Sequence, residues 1–200
     1  MSNLPHLLLA AGTSRRMGTP KQLLSWGSKK LIEFQIETIL PTTDTLFIIL
    51  GAYADQIKPH LTPYPVHYKI FDQWEKGMGA SLAYGIQELQ KKIPSAEGVL
   101  ISLIDQPLIK DLHYLKMRSA FIPNKKQIIT SESEQGWLGV PVLFDAHYFD
   151  QLIKLQGKQG AKALLKKHPN QLISIGGGKT LIDMDTPEIY QRLVKQINPR

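Results

Sequence analysis

The 200-residue sequence contains no cysteine. This absence excludes disulfide bonds, thiolate metal sites and a cysteine nucleophile. The sequence also lacks any run of about 18 apolar residues, so we expect no membrane-spanning helix. Because the first residues show no basic segment followed by an apolar one, we expect no signal peptide and a cytoplasmic location.

Basic side chains outnumber acidic ones, 24 to 17, which gives a net charge of +7. Such a charge favours anionic partners but does not choose among nucleic acid, membrane and small phosphates. The basic residues are scattered in short pairs among acids, which is typical of a solvated surface, so we expect no nucleic-acid or membrane partner. The length and the 42% hydrophobic content fit one globular domain, which we place at residues 1–200.

The most informative stretch is LLLAAGTSRRMGTPKQLL, residues 7–24. It begins as an apolar run typical of a strand buried on both faces, and then breaks into small and turn-forming residues. Small residues allow backbone N–H groups to approach an anion closely, and Arg15, Arg16 and Lys21 add positive charge. The stretch therefore indicates a polyphosphate-binding loop, although a tight turn with solvated cations is the alternative. Its spacing matches neither the P-loop nor the dinucleotide-binding pattern.

Buried strands alternate with helical patterns along the chain, which predicts an α/β fold. We expect a Rossmann-like three-layer sandwich with a mainly parallel sheet and helices on both faces. The predicted strands are residues 7–10, 45–50, 66–71, 98–104, 127–130, 140–144, 172–175 and 181–182. The predicted helices are residues 31–40, 54–60, 79–91, 110–121, 146–155, 161–168 and 187–197. The glycine-rich residues 176–180 are expected to form a hairpin or loop.

Ligands of open α/β sheets bind beyond the carboxyl ends of the strands, where polar residues follow in this sequence. Gly79 and Ser81 could begin a helix with free N–H groups, or could simply cap it. Asp105, held by a following Gln-Pro, is placed to bind Mg²⁺ or to cap the next turn. Asp183 and Asp185 would point the same way on an extended segment; we favour Asp185 as the second magnesium carboxylate, with helix capping as the alternative.

The pattern Ala10-Ala11-Gly12-x-Ser14-x-Arg16-Met17-Gly18-x-x-Lys21 resembles the LAAGxSxRMGxxK signature of the molybdenum-cofactor nucleotidylyltransferases, the MobA-like NTP transferases. It is most similar to their cytidylyltransferase branch. Residues 105–107 resemble the family's DQP motif, whose Asp coordinates magnesium, and residues 182–188 are similar to DIDTPED. The resemblance covers residues 7–193. It weakens from Val140 to Lys162, the side that would choose the acceptor, where Val140, Lys158 and Lys162 replace the usual residues. In the element that contacts the base and ribose in that family, Asp72 replaces the usual Asn.

The resemblance implies transfer of CMP from CTP to a phosphorylated molybdopterin-type cofactor, with Mg²⁺ as cofactor and pyrophosphate as product. CTP is favoured because Ala11 replaces a glycine of the guanylyltransferase relatives. The implied catalytic residues are Arg16, Lys21 and Asp105, and the metal ligands are Asp105 and Asp185. The implied nucleotide-binding residues are Ala10, Ala11, Gly12, Ser14, Arg16, Lys21, Gly79, Ser81 and Asp105.

Two other functions stay open at this point. A related enzyme could use the same loop with another phosphorylated acceptor, such as a sugar or polyol phosphate. A non-catalytic protein could instead keep the pocket and carry the cofactor during molybdoenzyme maturation, with a molybdoenzyme or its maturation chaperone as partner.

Overall fold

In the computed structural model, which describes residues 3–157 and 160–197, strands alternate with helices. The strands are β1 (His6–Ala10), β2 (Ser25–Trp26), β3 (Lys29–Lys30), β4 (Leu46–Leu50), β5 (His67–Ile70), β6 (Gly98–Leu103), β7 (Ile128–Ser133), β8 (Leu138–Asp145) and β9 (Leu172–Gly178). The helices are α1 (Leu31–Ile39), α2 (Ala54–Ile57), α3 (Met78–Lys92), α4 (Asp111–Ser119), α5 (Phe149–Leu152), α6 (Lys162–Lys167) and α7 (Pro187–Ile197).

Seven of these strands form one sheet, in the order β5-β4-β1-β6-β8-β7-β9. Every neighbouring pair is parallel except those of β8, which runs antiparallel to both β6 and β7. The reversal follows from the short turn between β7 and β8, since a parallel connection would need a much longer crossover. The prediction of a mainly parallel sheet is confirmed. The separate β2–β3 hairpin was not predicted from the sequence.

Both faces of the sheet are covered, and β1 shows how the sequence achieves this. Leu8 and Ala10 pack on one face with α1, α4 and α7, whereas Leu7 and Leu9 pack on the other with α3, α5 and α6. Each fully buried Leu contributes about 1.5–3 kcal/mol, so a one-residue shift in register would be strongly destabilising. The Rossmann-like three-layer sandwich is therefore confirmed.

Two predictions near the end of the chain are wrong. Residues 181–182 form no strand, and β9 continues through the glycines at 176–178 that were expected to form a loop. The parallel ladder between β7 and β9 extends to the pair Ser133–Gly178, so sheet pairing overrides the low strand propensity of glycine. A Cβ on Gly177 would lie 2.7 Å from Leu181 Cγ, so the glycine lets the following segment fold back over β9.

Two predicted helices are broken into shorter pieces. Residues 54–60 form α2 followed by a 3₁₀ turn, Lys58–His60. Residues 146–155 form a 3₁₀ turn, Ala146–Tyr148, followed by the single turn of α5. None of the helices in the described ranges is both long and apolar enough to cross a membrane.

Candidate functional site

The carboxyl ends of β1 and β6 place the loop of residues 11–21 next to Asp105. These strands are parallel neighbours, with Leu9 opposite Leu103, so both chains leave the sheet at the same edge. The segment before α7 is attached at this point, because the amide of Met184 donates to the backbone oxygen of Asp105 at 2.7 Å. This bond holds the neighbouring Asp185 beside the loop.

Four of the predicted side chains form one charged cluster. Lys21 Nζ lies 3.1 Å from Asp105 Oδ2 and 2.6 Å from Asp185 Oδ1. Arg16 Nη2 lies 2.7 Å from Asp185 Oδ2. Burial alone would raise the pKa of Asp185, but hydrogen bonds and charge from Lys21 and Arg16 outweigh it and hold that pKa below its usual value. The Lys21 side chain is only 9% exposed and that of Arg16 is 69% exposed, so the two cations differ in their access to a ligand.

The loop has a defined conformation that depends on Ser14 and Gln22. Ser14 adopts φ of 52°, and its Oγ accepts a hydrogen bond of 2.9 Å from the amide of Lys21. Gln22 is buried, and its Nε2 donates to the backbone oxygen of Ala10 at 2.6 Å. Ser14 therefore orients Lys21 within the loop, while Gln22, which sequence reasoning missed, ties the loop to the end of β1.

A cleft of about 380 Å³ opens between this loop and the start of α3. We call it the nucleotide cleft because four of the residues predicted from the sequence to bind a nucleotide line it: Ala11, Gly12, Ser81 and Asp105. A Cβ built on Gly12 would meet no atom within 4 Å, so the backbone here faces open space. Trp74 also lines the nucleotide cleft, whereas Asp72, two residues earlier, is exposed and does not line it.

The other predicted nucleotide-binding residues do not line this cleft: Ala10, Ser14, Arg16, Lys21 and Gly79. Ala10 is buried within β1. Gly79 donates its amide to the backbone oxygen of Gly157 at 2.8 Å, and a Cβ on Gly79 would lie 2.7 Å from Gln156 O. In this conformation Gly79 therefore anchors the segment before residue 158, and its N–H is already bonded. Lys158, which replaces the usual residue of the family pattern, lies outside the described residues.

A second cleft, of about 440 Å³, adjoins the first, and Met78 lines both. One side is formed by Gln106 and Asp183, which share a hydrogen bond of 2.9 Å from Gln106 Nε2 to Asp183 Oδ1. Desolvation and the negative charges of Asp105 and Asp185 raise the pKa of Asp183. The other lining residues include Trp137, Val140, Lys162 and Lys166. The sequence departures at Val140 and Lys162 thus lie in this second cleft.

Asp105 and Asp185, the two carboxylates that contact Lys21, are suited to bind a divalent cation that also binds a phosphate. Within residues 3–157 and 160–197, no three His, Asp or Glu side chains form a potential metal site. Magnesium nevertheless binds through one or two carboxylates when substrate phosphates and water complete its shell. Asp105 and Asp185 supply that number, and Asp105 Oδ1 is buried with no hydrogen-bond partner among the described residues. The donor set is therefore compatible with Mg²⁺.

Comparison with known proteins identifies a family and several similar chains. Residues 6–172 match the MobA-like NTP transferase domain. The chain is 26% identical to the purine catabolism protein PucB of Bacillus subtilis, over 93% of this chain and 95% of that protein. It is 23% identical to a probable molybdenum cofactor guanylyltransferase of Nostoc sp., over 94% and 89% of the two chains. Among solved structures, Rv0371c of Mycobacterium tuberculosis H37Rv has a TM-score of 0.86 at 24% identity, covering 97% of this chain and 98% of that one.

The family match extends over most of the sheet and includes both the loop of residues 11–21 and Asp105. Since it covers well over half of the sequence, it identifies the family directly. The chain belongs to the MobA-like NTP transferase family and is a nucleotidyltransferase that acts on a nucleoside triphosphate.

Proposed function

We propose that the protein transfers CMP from CTP to a phosphorylated molybdopterin-type cofactor, with Mg²⁺ as cofactor and release of pyrophosphate. It does so in the cytoplasm as a single domain over residues 1–200. The observation that carries the proposal is the position of Lys21 Nζ, within 3.1 Å of both Asp105 and Asp185 beside the nucleotide cleft. Phosphoryl-group transfer depends mainly on positioning and on neutralising charge, and this cluster supplies both.

The cations of the loop have donors left for phosphate. The ammonium of Lys21 has three N–H donors, and the two carboxylates use two of them. Arg16 is largely exposed and contacts Asp185 through Nη2, which leaves most of its guanidinium available. We assign both residues to the β- and γ-phosphates, where they stabilise the charge that develops on leaving pyrophosphate. The backbone at Ala11, Gly12 and Ser14 binds the triphosphate alongside them. Ala10, which is buried in β1 and bonded to Gln22, supports the start of the loop instead.

Asp105 and Asp185 are the proposed metal ligands, and Asp105 is the catalytic one. When bound, Mg²⁺ neutralises phosphate charge and orients the reacting groups. The chain's own contribution is to hold both carboxylates at one point, through the bond between Met184 N and Asp105 O and through Lys21. Ser81 completes the nucleotide site from the start of α3. Gly79, whose N–H is bonded to Gly157 O, supports it from the side of the neighbouring segment.

The choice of CTP rests on Ala11. Its methyl group lies among the residues lining the nucleotide cleft, and a Cβ on Gly51 would be only 2.9 Å from it. That distance describes the side of Ala11 that packs against Gly51. The preference for CTP therefore rests on the methyl group itself, which leaves less room for a purine base than the glycine of the guanylyltransferase relatives. The relatives named as probable guanylyltransferases favour GTP as the competing donor.

The second cleft is the proposed site of the acceptor. It adjoins the nucleotide cleft at Met78 and includes Gln106, which directly follows Asp105. An acceptor phosphate held there can attack the α-phosphorus of CTP, and the bond to the β-phosphate oxygen breaks with its electron pair leaving on pyrophosphate.

Pyrophosphate release from CTP, GTP, ATP and UTP, with and without molybdopterin cofactor, tests the proposal. We expect release that requires the cofactor and magnesium and that is fastest with CTP. Equal turnover with GTP would refute the donor assignment. Release only with a sugar or polyol phosphate would reassign the acceptor, and no release with any pair would indicate a cofactor carrier.

A further inference from the structure

Trp137 gives the second cleft an aromatic wall. The residue is 37% exposed and lines the cleft. The turn that carries it is well defined, because Ser133 N donates to Trp137 O at 3.0 Å and Trp137 N donates to Ser133 Oγ at 3.2 Å. Gly136 within this turn has φ of 80°, a conformation that favours glycine. The indole is therefore presented by an ordered turn.

Gly139 fixes where the indole lies. A Cβ at this position would come within 2.9 Å of Trp137 Cζ3 and 3.3 Å of its Cε3. The absence of a side chain on Gly139 lets the ring pack directly against the backbone of β8, while part of the ring remains exposed to the cleft. A flat, partly exposed indole is suited to stacking on a planar group.

The same cleft carries two cations on α6. Lys162 and Lys166 are four residues apart, so they lie on one face of the helix, and both are exposed and line the cleft. Neither forms an ion pair within the described parts of the chain. Asp183, the one acid among the described lining residues, is already bonded to Gln106. The lining is therefore net positive and suited to an anion.

We propose that Trp137 stacks on a planar ring of the acceptor while Lys162 and Lys166 bind an anionic group of the same molecule. This inference rests on the proposed function, since it assigns the second cleft to the acceptor. It narrows the acceptor to compounds that combine a flat conjugated ring with an anion. A sugar or polyol phosphate would use the lysines but has no flat conjugated ring to stack on the indole.

Calorimetric titration of the full chain with pterin-6-carboxylate, a planar anionic probe, tests the stacking. The free energy of a stacked aromatic pair is close to that of a tenfold change in affinity. We therefore expect Trp137→Leu to weaken binding about tenfold and Trp137→Phe to retain most of the affinity. Gly139→Ala should resemble Trp137→Leu, because the new Cβ displaces the ring without changing any polar group. Tyr68→Leu, which removes an exposed aromatic from β5 at the opposite end of the sheet, is the matched control and should bind normally.

The lysines are tested by pairing charged and uncharged probes. Lys166→Gln should weaken the binding of pterin-6-carboxylate but leave the binding of pterin itself unchanged. Lys167→Gln, on the same helix but outside the cleft lining, should change neither. For glycerol 3-phosphate, which has no ring, Trp137→Leu should have no effect.

The inference is overturned if the wild-type chain does not bind pterin-6-carboxylate, or if Trp137→Leu binds it as tightly as wild type. Neither outcome depends on pyrophosphate release. Conversely, pyrophosphate release could fail with every acceptor while binding of pterin-6-carboxylate still depends on Trp137. The proposed function would then be wrong, and the second cleft would remain a binding site for planar anions.

Discussion

Gly12 allows nucleotide binding to be tested without disturbing the fold. Its φ lies outside the left-handed region and a Cβ would meet no atom within 4 Å, so alanine fits without strain. We expect Gly12→Ala to change the free energy of unfolding by less than about 0.5 kcal/mol, as surface substitutions do. Binding of CTP should weaken about tenfold or more, about 1.4 kcal/mol, because the methyl occupies space beside the backbone N–H groups.

The matched control for this change is Gly176→Ala on β9, which also has open space around its Cα but does not line the nucleotide cleft. Urea unfolding and calorimetric titration should show both variants folded and only Gly12→Ala impaired. Normal CTP affinity for Gly12→Ala would remove this residue from the nucleotide site.

Asp105→Asn separates a metal ligand from a structural ion-pair partner. An asparagine keeps an oxygen that can accept from Lys21, so the fold should be retained. If Asp105 holds magnesium, turnover should fall by about 100-fold or more, about 3 kcal/mol of lost transition-state stabilisation. Steady-state rates measured over a magnesium titration should also show a higher metal requirement.

Asp183→Asn provides the comparison, since it lies in the same segment but bonds Gln106 rather than Lys21. We expect its magnesium requirement to stay close to that of the wild type. Near-normal turnover of Asp105→Asn at low magnesium would show that Asp105 is only a partner of Lys21.

For individual residues, the sequence predicted which side chains cluster, because three specific motifs contain Arg16, Lys21, Asp105 and Asp185. It did not predict supporting contacts. Gln22 looks like any surface amide in the sequence, yet it is buried against Ala10 O. Such roles depend on where the backbone turns, which no local pattern encodes.

Strands β1 and β6 are joined by a buried polar contact that should make stability depend on pH. His6 Nε2 lies 2.7 Å from Ser102 Oγ, and burial, with a smaller effect of the Arg118 charge, lowers the pKa of His6 well below 6.5. The unfolded chain, with a histidine pKa of about 6.5, therefore binds more protons in mild acid. The free energy of unfolding should fall as the pH drops below about 6.5, by up to about 1.4 kcal/mol per pH unit.

We expect His6→Phe to make this fall less steep, because the variant removes the titrating group while keeping the ring that contacts Tyr114 edge-on at 4.9 Å. Urea unfolding of both proteins between pH about 7.5 and about 5 measures the slope. His67→Phe, on the exposed edge strand β5, is the control and should retain the wild-type slope. Identical slopes for wild type and His6→Phe would mean that the buried histidine does not contribute.

The elements that the sequence predicted best are those with strong, uniform burial. β1, β4 and β6 are almost entirely buried, and their apolar runs identified them. β9 is only partly buried and ends in three glycines, so its existence depends on the ladder with β7 rather than on its own residues. The β2–β3 hairpin has two residues in each strand and is too short to give a period-2 pattern.

The charged cluster exists only in the complete molecule. Arg16 and Asp185 are 169 residues apart in sequence, and Lys21 and Asp105 are 84 apart. A parallel α/β sheet brings such residues together because successive strands end at the same edge. The fold class could therefore predict that the segments meet, whereas the neighbouring second cleft required the actual positions of α6 and of the turn before β8.

Ligand binding at this shared edge should stabilise the whole chain. A nucleotide that contacts the loop after β1 and Asp105 after β6 binds only the folded state. At a free concentration of about 100 times its dissociation constant it adds about 2.7 kcal/mol to the free energy of unfolding. For a chain of this size each kcal/mol raises the melting temperature by about 2–4 °C, so CTP with Mg²⁺ should raise it by about 5–10 °C. At the same concentration GTP should give a smaller shift.

Thermal melts of wild type and two variants separate specific binding from a general effect of anions on a protein of charge +7. Asp105→Asn should lose most of the magnesium-dependent part of the shift, whereas Tyr68→Leu, on the distant edge strand, should keep all of it. Inorganic pyrophosphate at the same concentration controls for charge alone, because it can contact Arg16 and Lys21 but not the part of the nucleotide cleft beside Ala11 and Trp74. If pyrophosphate gave the same shift as CTP, the cluster would act as a simple anion site, and the nucleotide cleft would have no part in recognising the base.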